Sequence, residues 1–225
     1  MEALNKVALA IAASGAIVAT AISSAQAVTK PMPPTFSIAG IHIGERPADV
    51  LSDLKRAGYR VVKVSQSDTF KQRLSDARNA ELRQPNDRGR TTDVGSVFAT
   101  QADQHIRVNF DDNSTGSRVV SAIFYEASSV AHPFGRGRAT MISRYGQPQA
   151  EDGTGPVWCI NDVPDVCKAH GVRGDRLKVG HDHRGFDPSA ELTTIELVAG
   201  NDLLRSWQDG FRAELARLLK SRDAF

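Results

Sequence analysis

The sequence is poor in cysteine, in net charge, in long apolar runs and in catalytic signatures. Cys159 and Cys167 are its only cysteines, and they are too far apart to form a Cys-x-x-Cys redox motif. Lysine and arginine total 28 against 26 acidic residues, a formal charge of +2. That balance argues against nucleic acid or a membrane surface as the partner. The longest uncharged apolar stretch, 7–22, falls short of the ~20 residues that a spanning helix requires. No Gly-x-Ser-x-Gly, phosphate-binding glycine loop or dinucleotide fingerprint occurs. Ser52-Asp53-Leu54-Lys55 has Ser-x-x-Lys spacing, but without a Lys-Thr-Gly strand it reads as the polar face of a helix.

Two of these shortages acquire meaning at the amino terminus. Asn5-Lys6, the apolar run and Ala25-Gln26-Ala27 form the pattern of a secretory signal peptide over 1–27. No cysteine lies near that site, so a lipid anchor of the bacterial lipoprotein kind is not expected. The mature chain is expected to be periplasmic or secreted, with no transmembrane anchor. In that compartment Cys159 and Cys167 are best read as one disulfide. Residues 28–35, with Lys30-Pro31-Met32-Pro33-Pro34, form a proline-rich spacer.

What remains reads as an α+β chain. Pro47 suits the first turn of a helix and Gly58 the position just past its end. Ala48, Leu51, Leu54 and Ala57, with Val50 alongside, give that helix one apolar face. A single strand is expected before it at 36–43 and another after it at 59–64. Residues 66–95 read as a polar insertion, helix-permissive in its first half and rich in breakers around Pro85. Strands follow at 96–100, 105–110 and 118–126, the last two joined by the turn formers of 111–116. A second helix near 133–145 ends at Gly146-Gln147-Pro148, with strands at 157–160, 177–181 and 191–198. An amphipathic helix at 201–221 closes the chain, and Trp207 and Phe211 are expected to anchor it on the sheet.

The pattern repeats. Leu54-Lys55-Arg56-Ala57-Gly58 matches Ile142-Ser143-Arg144-Tyr145-Gly146. Ile106, Val108 and Asp111 match Leu177, Val179 and Asp182, and Val120-Ser121-Ala122-Ile123 matches Leu192-Thr193-Thr194-Ile195. Two related units are therefore expected, 36–132 and 133–225. Each is a short helix or helical pair packed on a three- to four-stranded antiparallel sheet.

The stretch Ile43-Gly44, followed by Ala48-Asp49-Val50, resembles the helix start of the SmpA/OmlA (BamE-like) outer-membrane assembly lipoproteins. Tyr145-Gly146-Gln147-Pro148 resembles the end of that motif. The tandem arrangement is similar to the β-lactamase inhibitor protein fold. Glu45, where the family commonly has methionine, and the missing lipid-bearing cysteine are departures from it. The resemblance implies noncatalytic protein binding. The function expected is binding another envelope protein or peptide, or an accessory role in envelope assembly, through a sheet face or the 66–95 insertion, with no cofactor.

Candidate contact residues are Arg88 and Arg90 in the insertion and Arg136 and Arg138 in the densest basic cluster. Each is a guanidinium able to pair with a carboxylate or phosphate. The alternative is metal or small-ligand binding by His181 and His183, two apart on a strand, with His170 nearby in sequence. A hydrolase is the reading supported least.

Overall fold

A computed structural model describes residues 35–225 apart from 87–88, 129–132, 153–154, 161–166, 168–174, 184–190 and 222–225. The signal and spacer readings, together with Arg88 and His170, lie outside the described residues. The architecture is α+β. A hairpin of β1 (Ser37–Ile38) and β2 (Ile41–His42) leads into α1 (Pro47–Arg56). Next come β3 (Arg60–Asp68), α2 (Phe70–Glu81), β4 (Thr92–Gln101), β5 (Gln104–Asp112) and β6 (Arg118–Ser128). The remainder is α3 (Phe134–Tyr145), β7 (Ala150–Asp152), β8 (Gly155–Cys159), β9 (Arg176–His183), β10 (Glu191–Val198) and α4 (Asn201–Lys220).

Local chemistry sets these boundaries. Pro47 occupies the first turn of α1. Gly58, at φ +85°, closes the helix as Tyr59 N–H donates to Leu54 O and Gly58 N–H to Lys55 O, a pair of bonds that needs a left-handed residue. Gly146 ends α3 differently, at φ +80° and ψ −169°, with its N–H donating to Ile142 O at 2.9 Å. The expected single strand over 36–43 is instead a tight hairpin, because Ala39 and Gly40 both take positive φ, as a two-residue type I′ turn requires. Alanine gives no warning of that conformation.

The 66–95 stretch is not an irregular excursion. Its ends belong to β3 and β4, and Thr69 caps α2 by accepting from Gln72 N–H at 3.2 Å. α2 packs on α4, where Phe70 meets Phe211 edge-on and the Arg73 guanidinium lies 5.0 Å from the Trp207 ring centre. Trp207 and Phe211 thus tie α4 to α2. Polarity hides α2 from a periodicity argument, because its buried positions include Gln72 and Asn79 beside Leu74.

The long strands form one antiparallel sheet of eight, ordered β3-β4-β5-β6-β10-β9-β8-β7. Four consecutive strands run inward to β6 and four run inward to β10, and the halves join where β6 pairs with β10. The segments matched in the sequence take corresponding places, on β5 and β9 and on β6 and β10. One hydrophobic core runs through both halves. It draws on Val50 and Leu54 of α1, Ile106, Val108, Ile123, Leu177, Val179 and Leu197 of the sheet, and Met141 of α3. α1 and α3 therefore cover one face of the sheet, called here the inner face. Cys159 and Cys167 are disulfide-bonded and form a small satellite core with Ala150 and Val157. Closing so short a loop contributes about 2–3 kcal/mol. Among the described residues no helix is long and apolar enough to cross a membrane.

Candidate functional site

The face of the sheet turned away from α1 and α3 is set by strand alternation. Ile106 and Val108 point inward on β5, so His105 and Arg107 point outward, and both are exposed. The register then aligns one outward row across the molecule. Lys63 lies beside Phe98, Phe98 beside Arg107, Arg107 beside Phe124, Phe124 beside Glu196, and Glu196 beside Lys178. A second row places Thr100, His105, Glu126 and Thr194 side by side.

These neighbours interact. The Arg107 guanidinium sits 4.7 Å from the Phe124 ring centre, within cation–π range. His105 stacks on Phe98 with centroids 5.9 Å apart and planes 14° from parallel. Phe98, Phe124 and Glu126 are half-buried, the Phe98 ring against His105 and the Phe124 ring against Arg107. Each side chain stands on a hydrogen-bonded strand, so the arrangement is held before anything binds. Its chemistry is that of contact: rings for apolar area, a guanidinium for a carboxylate or carbonyl, and carboxylates for cations.

Of the sequence-derived candidates, Arg90, Arg136 and Arg138 have described side chains. Arg90 turns back on its own unit, where its Nε donates to Asp68 Oδ1 at 3.1 Å and the guanidinium also pairs with Asp76. Arg138 pairs with Glu151. Arg136, on the first turn of α3, is exposed and lies on the inner-face side with that helix. The backbones of His181 and His183 stand on β9 opposite Thr193 and Glu191, and their side chains lie outside the described residues. Among the described residues no group of three His, Cys, Asp or Glu side chains is gathered closely enough to hold a metal.

The outer-face residues escaped sequence reasoning although a signal existed. Arg107 and Asn109 mark the wet phase of β5, and pairing carries that phase onto Phe98 and Phe124. An aromatic ring on the wet phase of a strand is the sign of a contact surface, but recognising it requires the register. No protein-family model, no curated protein and no solved structure matches this chain.

Proposed function

We propose that the protein is an exported, noncatalytic binder of another envelope protein or peptide, engaged through the outer face of the sheet. One observation carries this reading: the row Lys63, Phe98, Arg107, Phe124, Glu196 and Lys178 on rigid, paired strands. Aromatic residues and arginine dominate the energetics of protein interfaces, and ordering them in advance lowers the entropy cost of binding. Export is supported by the disulfide and by the leader-like residues 1–27. A tandem BamE-like arrangement is supported by the mirrored halves of the sheet and by a positive-φ glycine just past both α1 and α3.

The test is an affinity pull-down of the tagged chain from a cell-envelope extract, beside Arg107→Ala and Phe124→Ala variants. Both substitutions change outward side chains, so the variants should fold. An enriched envelope protein whose affinity drops at least about 30-fold in either variant, a loss of about 2 kcal/mol, supports the reading. Equal capture by all three proteins removes the outer face from the account. Metal co-purifying with the chain would instead promote His181 and His183.

A further inference from the structure

We infer that the cleft between α3, the β1–β2 hairpin and the inner face of the sheet binds a compact apolar carboxylate, clasped by the Arg136 guanidinium and the Tyr125 hydroxyl. The cleft has a volume of about 280 Å3, room for a body of about a dozen non-hydrogen atoms. Met141 and Ile195 supply apolar wall, and the rings of Tyr59 and Tyr125 close the sheet side.

Charge selects the ligand class. Arg136 and Arg144 line the cleft and, among the described residues, no aspartate or glutamate does. The first turn of α3, which carries Arg136, also contains no acidic residue, so the positive end of that helix adds to the same potential. The two arginines have different work. Arg144 is committed, its Nη2 donating to Ser37 Oγ at 2.9 Å, and serves as wall. Arg136 is engaged through its backbone, its carbonyl accepting from Thr140 Oγ1 at 2.9 Å. Among the described residues its guanidinium has no partner.

The tyrosines divide in the same manner. Tyr59 donates its hydroxyl to Gln104 Oε1 at 2.9 Å. The Tyr125 hydroxyl has no partner among the described residues. Burial first, then the neighbouring Tyr59 and Asp103, pushes its pKa up to about 12, so it remains a proton donor at neutral pH. One free guanidinium and one free phenol match the two oxygens of a carboxylate, whereas a phosphate dianion would leave an oxygen facing apolar wall.

The inference is tested on the full chain with 3-phenylpropionate as probe and 3-phenylpropionamide as its uncharged counterpart, following amide shifts by NMR. The expected result is saturable binding of the acid, with shifts centred on Tyr59, Tyr125 and α3. Binding should be at least about 10-fold weaker for the amide and for Arg136→Gln. Tyr125→Phe should also weaken it. Arg138→Gln removes the same charge from a residue already paired with Glu151 and should leave binding unchanged. The absence of saturable shifts, equal binding of acid and amide, or an equal loss in both arginine variants would overturn the inference. So would shifts centred on Phe98 and Phe124, which would move the ligand to the outer face; the other results leave the outer-face reading untouched.

Discussion

Asp112 holds two guanidiniums with one carboxylate. Its side chain is 2% exposed and that of Arg118 is 3% exposed; Arg118 Nε lies 3.4 Å from Asp112 Oδ1, and Arg73 pairs with the other carboxylate oxygen. Arg118 also donates through Nη2 to the Asp68 carbonyl at 2.8 Å. The network ties the end of β5 to β3, β6 and α2. Removing the anion strands a buried cation, so Asp112→Asn should cost about 3–5 kcal/mol in urea unfolding. A loss below about 1 kcal/mol would show that water already serves these arginines. The sequence places Asp112 among turn formers, yet the turn proper is 113–116 and Asp112 still belongs to β5. Arg118 faces Asp112 across the hairpin, but Arg73 is 39 residues away, and the burial of an aspartate between them leaves no mark on local sequence. Tyr125 gives the second expectation at this scale. Its folded pKa of about 12 exceeds the ordinary value of 10.0, so its contribution is fully present below pH 10 and lost as pH rises through about 12. Burial also raises Tyr59, so ultraviolet titration of tyrosinate should show a late step that shrinks in Tyr125→Phe, and an undiminished late step in that variant would contradict the assignment.

Helix α4 shows packing overruling propensity. Glycine in a helix interior is about 1 kcal/mol worse than alanine, so Gly210→Ala should stabilise an isolated α4. In the fold a Cβ at 210 would lie 2.7 Å from the Ser114 carbonyl oxygen, because α4 rests on the β5–β6 turn. Gly210→Ala should therefore destabilise the protein, by about 1–3 kcal/mol, and lower the midpoint of a thermal melt. A raised midpoint would mean that α4 does not seat there. The helices at 47–56 and 201–220 were legible because each shows an apolar stripe at helical spacing and, for the first, proline and glycine at its ends. α2 was legible only as permissive, since what holds it is a distant helix: Phe70 and Arg73 answer Phe211 and Trp207 across the whole chain.

At the scale of the molecule the decisive feature is the seam between β6 and β10. Leu197 is opposite Ile123 and Ile195 opposite Tyr125, so the core has no boundary where one unit ends and the next begins. Chemical unfolding should accordingly be a single transition, with backbone dichroism and the fluorescence of buried Trp158 changing together. Leu197→Ala, at the seam, should shift both signals equally and cost about 2–5 kcal/mol. Two separated transitions would return the chain to a pair of independent domains. Strand content and repeat order were readable from alternation and turn chemistry. The seam was not, because pairing between strands that close two repeats depends on neither.

The seam also fixes a symmetry. With the spacing that aligns Val120 with Leu192, the pseudo-twofold passes through the facing pair Phe124 and Glu196. Arg107 and Lys178 flank that pair on the outer face. A chain holding only the first half would end its sheet at an open β6, and two such chains would rebuild eight strands by pairing β6 with its own copy. The sheet is in this sense laid out as that of a homodimer would be, within one polypeptide. Covalent linkage frees each half to change alone, so its two mirrored surfaces need no longer be the same.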